Sequence, residues 1–207
     1  MFEAIQQIDY EVSTARPPKP IATLIEHGDA LWQEFLGKGL NQRFPRYVAS
    51  DPNEVFAAIA YVFENELAAG DRFVEWGSGF GVATNMAAQI GFESVGVEIE
   101  PNLCRIAEKL AKTHSTNAHF IERSYIPKGI VSYPIQGGTQ IEVATSSDRP
   151  FHYEELEYGL DEVDVFFVYP WPGEQEMMLS LFEAVAAPDA ILITYFGEGE
   201  VCLYRRL

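Results

Sequence analysis

Three glycines within five residues, Gly77, Gly79 and Gly81, constrain the fold of this chain more than any other feature. They follow residues 73–76, a short apolar run that predicts a buried strand, and they precede a helix-compatible run at residues 82–90. A strand that ends in a glycine turn and leads into a helix brings bare backbone close to a ligand, and it points the helix N-terminus at that ligand. The sequence therefore predicts a ligand-binding turn here.

The spacing of the glycines separates this turn from a dinucleotide-binding loop. That loop reads G-x-G-x-x-G and would need glycine at position 82, where this chain has valine. The pattern here is G-x-G-x-G, preceded by the acidic Glu75. A second predicted strand at residues 94–99 carries Glu98, which lies 21 positions after Gly77. This is close to the spacing of about 20 residues at which an acid meets ribose hydroxyls in nucleotide-binding units.

Over about residues 73–122, these motifs resemble the cofactor half of the class I S-adenosylmethionine (SAM) methyltransferases. In that family the first strand ends in E/D-x-G-x-G-x-G, and the second strand ends in an acidic residue. The resemblance implies that Glu75 holds the ammonium end of SAM, that Glu98 binds both ribose hydroxyls, and that the glycine backbone approaches the cofactor. The residues predicted to bind SAM are Tyr47, Glu75, Gly77, Ser78, Gly79, Gly81, Glu98, Ile99, Ser124 and Tyr125.

A narrower resemblance covers about residues 47–101. The run Tyr47-Val-Ala-Ser-Asp-Pro52 before a helix, followed by the two strand motifs, is similar to small protein-lysine methyltransferases built on the same fold. By that analogy, the loop that carries Tyr47 closes over SAM and Tyr47 contacts it. Ser124 and Tyr125 follow a third predicted strand, where they either line the adenine pocket or only fill a loop.

The order of the predicted elements indicates an α/β fold with a doubly wound, mostly parallel sheet and N-terminal helices. Residues 1–10 predict a loose helix, and residues 21–36 have helical spacing, as one helix or as two divided at Gly28-Asp29. We expect residues 1–50 to form a helical extension or lid. We expect residues 51–207 to form the SAM-binding domain, interrupted by an insertion at residues 125–162.

The insertion and the C-terminus depart from the family pattern. Residues 130–135 and 139–145 alternate in polarity around Gln136-Gly137-Gly138, which predicts a hairpin. Few residues remain after the fifth predicted parallel strand at residues 190–196, whereas a full class I methyltransferase has a further helix and two further strands there. We therefore expect about six strands, with a shortened C-terminus, and we expect the insertion to cover the acceptor site.

The fourth predicted strand ends in Tyr169-Pro-Trp-Pro172, at the place where class I enzymes contact their acceptors. Tyr169 and Trp171 are the predicted catalytic residues, as an aromatic wall for a cationic acceptor. The alternative is that they are packed aromatics at a strand end. No single base is evident, and Tyr169 or a carboxylate near Glu174 are the candidates. Amino-methylating nucleic-acid enzymes carry D/N-P-P-Y/F/W at this point, which differs from the sequence found here.

The net charge of −17 disfavours nucleic acid as a partner, because phosphate binding depends on lysine and arginine. No apolar run is long enough for a membrane helix, and the N-terminus lacks the features of a signal peptide, so we expect a cytoplasmic protein. Cys104 and Cys202 have no metal-ligand spacing, and no metal site is predicted.

The sequence thus predicts a SAM-dependent methyltransferase that acts on a protein amine or a small molecule, and it leaves the oligomeric state open. One alternative is a SAM-binding protein without catalysis, in which the shortened C-terminus removes the acceptor site. An oxidoreductase that uses a nicotinamide cofactor is disfavoured by the valine at position 82.

Overall fold

A computed structural model describes residues 4–10, 16–143 and 150–207 of the chain. These residues form nine strands and five α-helices, with short 3-10 helices at Leu40–Gln42 and Leu160–Glu162. The strands are β1 (Ile5–Ile8), β2 (Arg72–Trp76), β3 (Glu93–Glu98), β4 (His119–Glu122), β5 (Ile130–Ile135), β6 (Gly138–Val143), β7 (Val165–Val168), β8 (Ile191–Tyr195) and β9 (Val201–Arg206). The helices are α1 (Lys19–Gly37), α2 (Pro52–Glu64), α3 (Val82–Ile90), α4 (Pro101–His114) and α5 (Gln175–Val185). None of these described helices is long and apolar enough to cross a membrane.

Seven strands make one sheet in the order β1-β9-β8-β7-β2-β3-β4. The strands β4, β3, β2, β7 and β8 run parallel to their neighbours, and β9 runs antiparallel to β8. The chain order reverses at β2, which pairs with β3 on one side and with β7 on the other. Ligands of such sheets bind outside the carboxyl ends of the strands at this reversal point. The predicted α/β fold with a mostly parallel sheet is confirmed.

The start of the chain differs from the prediction. Residues 5–8 form β1, an edge strand antiparallel to β9, where the sequence predicted a loose helix; residues 1–3 lie outside the described part. The pairing runs from Ile5 opposite Arg206 to Ile8 opposite Leu203. The Leu207 amide also donates to the Ala4 carbonyl at 2.9 Å. The strand β1 is therefore the seventh strand of the sheet, and the expectation of about six strands was wrong.

The two faces of the sheet pack against different helices. Along β7, Val165 and Phe167 point to a core shared with α1, α2 and α3, whereas Phe166 and Val168 point to a core shared with α5. This alternation follows the two-residue period of a strand, and its apolar residues on both faces are typical of a buried parallel sheet. The second core includes Tyr153 and Leu160 from the insertion, so this segment covers sheet surface.

The helix α1 is continuous through Gly28, where the sequence allowed a break. A Cβ at Gly28 would lie 2.8 Å from Cγ2 of Val82, so glycine here permits close contact between α1 and α3. The helix α2 starts at a side-chain cap, because the Asp51 carboxylate accepts from the amides of Asn53 and Glu54 at 2.9 and 3.3 Å. The helix ends at Glu64.

The hairpin predicted in the insertion is present as β5 and β6, which pair antiparallel in a separate two-stranded sheet. The predicted continuation of its second arm to Thr145 lies outside the described residues. The tip of the hairpin rests on the loop after β7, so closely that a Cβ at Gly138 would lie 2.0 Å from the Gly173 carbonyl oxygen. The hairpin of the insertion thereby reaches the loop at the carboxyl end of β7.

Candidate functional site

The glycine turn joins the carboxyl ends of the two central strands. The amides of Gly77 and Ser78 both donate to the Val97 carbonyl of β3, at 2.9 and 3.0 Å. Gly77, Gly79 and Gly81 all have positive φ angles, of 76°, 53° and 70°. Residues other than glycine rarely adopt this backbone conformation, so the turn requires all three glycines.

The three glycines nevertheless have different surroundings. A Cβ at Gly81 would lie 2.4 Å from Cε1 of Phe120 and 2.8 Å from Cβ of Ala107, so this glycine allows tight packing beneath the turn. A Cβ at Gly79 would lie 2.1 Å from the ring of Tyr47. At Gly77 no atom lies within 4 Å of such a Cβ. Of the three, Gly77 alone lines the two cavities described below.

The carboxylate of Glu98, at the end of β3, is held against the turn by backbone amides. One oxygen accepts from the Gly79 amide at 2.7 Å, and the other accepts from the Glu100 amide at 2.8 Å. Burial raises the pKa of Glu98, while the hydrogen bonds from these amides act to lower it. The carboxylate is thus fixed in direction at the edge of a cavity.

The carboxylate of Glu75, at the end of β2, turns towards α3. It accepts from the amide of Thr84 at 2.9 Å and from the hydroxyl of the same residue. Glu75 therefore occupies an amide in the first turn of α3, the helix N-terminus that the sequence predicted to point at a ligand. Burial raises the pKa of Glu75 to about 8, against the effect of the Thr84 hydrogen bonds. A cation placed beside this group would favour its ionised form.

A cavity of about 660 Å³ opens at the carboxyl ends of the central strands. Eight of the residues predicted from the sequence line it, namely Tyr47, Gly77, Glu98, Ile99, Ser124, Tyr125, Tyr169 and Trp171. Ile99 is 64% exposed although it follows a buried strand, so a large apolar side chain faces this space. Ser124 also accepts from the Ile126 amide at 3.1 Å, which fits a turn-forming role. The structure thus brings these eight predicted residues to one cavity, whereas Glu75, Ser78, Gly79 and Gly81 do not line it.

A second, small cavity of about 50 Å³ lies on the other side of Tyr47. It is lined by Glu75, Gly77 and Ser78 of the turn, and by Tyr47 and Tyr169, which also line the large cavity. The hydroxyl oxygen of Ser78 is buried and has no hydrogen-bond partner among the described residues. Such a group is rare in a folded protein, and it marks a place where a polar ligand would gain a partner.

Tyr47 lines both cavities, as do Val48, Gly77 and Tyr169. Its ring packs against Phe80 with ring centroids 4.5 Å apart, and it makes edge contacts with Trp32 and Phe35 at 5.5 Å each. The backbone of Phe80 hydrogen-bonds the Tyr47 hydroxyl, and burial raises the pKa of that hydroxyl above its usual value. We call residues 43–48 the strap, since they cross the site and place Tyr47 on Gly79.

The two predicted catalytic residues line the large cavity in the loop after β7. Tyr169 lies beside the glycine turn, because Val168 pairs with Trp76 in the parallel register of β7 and β2. Tyr169 packs edge-on against Tyr195, with ring centroids 4.9 Å apart, and Trp171 is 38% exposed. Tyr169 and Trp171 therefore fit both alternatives, because they lie at a strand end and also line the cavity. Nearby, burial raises the pKa of Tyr125 to about 12, and its backbone carbonyl accepts from the Tyr153 hydroxyl at 2.5 Å.

Sequence reasoning missed part of the cavity wall. The strap contributes Arg43 and Arg46, the hairpin contributes Ser132–Pro134 side chains and α5 contributes Met177 and Met178. The sequence analysis proposed only that a carboxylate near Glu174 could act as a base. In the structure Glu174 lies in the cavity wall and binds Arg46. The signals available were the cluster Arg43-Phe44-Pro45-Arg46 before Tyr47 and the helix start after Pro172.

Neither a protein-family model nor a curated protein matches this sequence. Solved structures do match by shape. The chain is 10% identical to a methyltransferase from Geobacter sulfurreducens, with a TM-score of 0.50 over 94% of this chain and 93% of the other. It is 20% identical to an RNA methyltransferase from Salinibacter ruber in complex with S-adenosyl-L-homocysteine, with a TM-score of 0.45 over 72% of this chain and 88% of that one.

A SAM-dependent methyltransferase from Thiobacillus denitrificans, in complex with S-adenosyl-L-homocysteine, is 16% identical, with a TM-score of 0.45. That match covers 75% of this chain and 53% of the Thiobacillus protein, so the chain spans about half of that protein's length. At these identities a structural likeness establishes the fold and not the reaction. With the Geobacter sulfurreducens protein and the sheet order taken together, this chain has the class I methyltransferase fold.

Proposed function

We propose that this protein is a SAM-dependent methyltransferase whose acceptor is an amine of a protein or a small molecule. The observation that carries the proposal is that the Glu98 carboxylate and the open backbone of Gly77 lie together in the wall of the large cavity. A carboxylate beside bare backbone at the reversal point of a parallel sheet is suited to the ribose of a nucleoside ligand. The Geobacter sulfurreducens protein that shares the fold is a methyltransferase, which agrees with this proposal.

The residues around the turn fit SAM group by group. The Glu98 carboxylate suits two adjacent ribose hydroxyls, and exposed Ile99 offers an apolar face for the adenine ring. In the small cavity, ionised Glu75 suits the ammonium of the methionine end, and Ser78 would gain the hydrogen-bond partner that it lacks. SAM, when bound, supplies an electrophilic methyl group on its sulfonium.

Tyr47 lines both the cavity that contains Glu98 and the cavity that contains Glu75, and its ring fills the space directly over Gly79. We therefore propose that the strap moves away from Gly79 when SAM binds, and that Tyr47 then contacts the cofactor from above. In this proposal only the strap and α1 act as a lid within residues 1–50, since β1 belongs to the sheet.

The part of the cavity beside the loop after β7 is suited to the acceptor. Tyr169 and Trp171 offer aromatic surface to a cation or to an apolar chain. The chain's net charge of −17 favours a cationic acceptor over a nucleic acid. The hairpin and the strap cover the cavity, and so they serve to align the acceptor and exclude water, which are the main requirements of an in-line methyl transfer.

Calorimetry with SAM, S-adenosylhomocysteine and NADH tests the cofactor. We expect binding of the first two and none of NADH, and binding of NADH alone would overturn the proposal. Transfer of labelled methyl from SAM into a cell lysate then tests catalysis. SAM binding without any transfer would instead favour a SAM-binding protein without catalysis. We expect Trp171→Ala to reduce transfer while SAM binding is retained.

A further inference from the structure

The carboxylate of Glu174 is an unusual component of the cavity wall. Glu174 directly precedes α5, and its backbone amide donates to the Trp171 carbonyl at 2.9 Å, which fixes its position after the loop. Its side chain is only 11% exposed, yet it lines the large cavity. A carboxylate in such a place needs a cationic or hydrogen-bonding partner, because removing a charge from water is costly.

Its partner is supplied by the strap. Arg46 donates from Nη2 to Oε1 of Glu174 at 2.5 Å, and no other described side chain hydrogen-bonds this carboxylate. The two members of the pair differ in their surroundings, because the Arg46 side chain is 66% exposed. Water can replace the carboxylate for Arg46, whereas little water reaches Glu174. Loss of the pair therefore costs little free energy at Arg46. It costs much more at Glu174, unless another cation binds the carboxylate in place of Arg46.

The strap that carries Arg46 also carries Tyr47, which lies on Gly79. The same short segment therefore contacts the acceptor end of the cavity through one residue and the glycine turn through the next. When the strap moves, as the proposed function requires for SAM to enter, Arg46 moves with it. Glu174 is then left without its partner at the moment when the site is open.

We propose that Glu174 is the anchor for a positively charged acceptor, and that Arg46 holds this position until the acceptor arrives. This inference rests on the proposed function and narrows its acceptor to an amine that binds as an alkylammonium. The nitrogen must then lose one proton, to the Glu174 carboxylate or to water, before its lone pair can take the methyl group. Three features suit such a group: the carboxylate of Glu174, the aromatic ring of Trp171 and the partly buried ring of Tyr125, all in the wall of one cavity. An anionic acceptor would meet the Glu174 charge and is disfavoured.

The probe for this inference is n-butylammonium chloride, with n-butanol as the uncharged analogue of similar shape, and ligand-observed NMR reports binding. We expect wild-type protein to bind n-butylammonium weakly and n-butanol less. We expect Arg46→Gln to tighten n-butylammonium binding about fivefold or more, because the competing guanidinium is gone, and Glu174→Gln to abolish it. The matched control is Lys38→Gln, which removes the exposed Lys38–Glu34 pair on α1 and should leave binding unchanged.

Thermal unfolding first establishes that each variant is folded, and Glu174→Ala, which also lacks the carboxylate, replaces Glu174→Gln if the latter is not. Unchanged n-butylammonium binding in Arg46→Gln, or wild-type binding in the Glu174 variant, would overturn the inference. SAM affinity is measured in the same samples by calorimetry. If the wild-type protein binds no SAM, the proposed function fails, whatever the amine titrations show. If SAM binds and the amine titrations are flat, only the anchor role of Glu174 fails.

Discussion

The floor of the site and its cover are held together in different ways. The floor is the glycine turn with Glu75 and Glu98, whose carboxylates are both buried and bound to backbone amides within the same short stretch of chain. The cover is the strap and the hairpin, which are held by a few contacts between distant residues, such as Arg46 with Glu174. Changes in the floor should therefore cost folding free energy or cofactor affinity, whereas changes in the cover should alter access at little cost.

The largest effect is expected at Gly81, which belongs to the packed side of the floor. In Gly81→Ala the new Cβ would overlap Phe120 and Ala107, in a backbone conformation that alanine disfavours. We expect the free energy of unfolding to fall by about 2–4 kcal/mol. Urea unfolding measures it.

The matched variant is Gly77→Ala, which has the same kind of backbone conformation but open space around its Cβ. Only the conformational cost of about 1–2 kcal/mol should remain. Because the added methyl group projects into the cavities, SAM affinity should fall more in this variant than stability does. Equal losses of stability in the two variants would contradict the division between a packed glycine and a ligand-facing glycine.

The next effect concerns Glu98, the ligand-facing side of the floor. In Glu98→Gln one acceptor oxygen becomes an amide donor, which conflicts with the amide of Gly79 or Glu100 and with a ribose hydroxyl. We expect SAM affinity to fall about 10–100-fold, equivalent to ~1.4–2.8 kcal/mol. Calorimetry measures it. The control is Glu122→Gln, the exposed acid that pairs with Glu98 in register across β3 and β4. A similar loss in both variants would indicate a general charge effect instead of a ribose contact.

The difference between floor and cover also explains what the sequence could predict. Glu75, Gly77 and Glu98 lie within one strand–turn–helix–strand unit, so their spacing along the chain determines their arrangement. The partners of the cover are distant in sequence, since Arg46 and Glu174 are 128 positions apart. Alternating polarity predicted a hairpin, but no local pattern specifies that its tip rests on the loop after β7.

One error in the predicted fold and one question that the prediction left open, at Gly28, have the same origin. The short run at Ile5–Ile8 becomes a strand because the edge of β9 is available to it, and β9 lies at the other end of the chain. Without β9 as a pairing partner, nothing stabilises that short run as a strand. Gly28 suggested a helix break from composition, and only its neighbour Val82 in α3 reveals that it serves close helix packing. Contacts between residues distant in sequence determine both features, and local sequence patterns do not predict such contacts.

A smaller effect, again in the floor, is the pH dependence caused by Glu75. Burial raises its pKa from 4.5 to about 8 in the folded protein. Between these values the folded protein holds a proton that the unfolded chain releases, so stability falls as pH rises, by at most about 1.4 kcal/mol per pH unit. Glu75→Gln has no such proton. Urea unfolding at about pH 5 and about pH 8 should show the variant gaining stability relative to wild type as pH rises. Parallel pH profiles for the two proteins would show that Glu75 titrates normally.

The smallest effect on stability is expected in the cover, at the hairpin tip. Gly138 has no positive φ, so Gly138→Ala adds no backbone strain, but its Cβ would lie 2.0 Å from the Gly173 carbonyl oxygen and must displace the tip. The hairpin lies outside the seven-stranded sheet, so the free energy of unfolding should change by less than about 1 kcal/mol. Access should change more, and thermolysin, which cleaves before large apolar residues, should cut the Gln140–Ile141 bond of the hairpin several-fold faster, as identified by mass spectrometry. Gly37→Ala at the end of α1 is the control, because nothing lies within 4 Å of its Cβ. If the Gly138 variant resists cleavage as well as wild type, the contact with Gly173 does not hold the cover, and the hairpin must be fixed instead by its packing on α5.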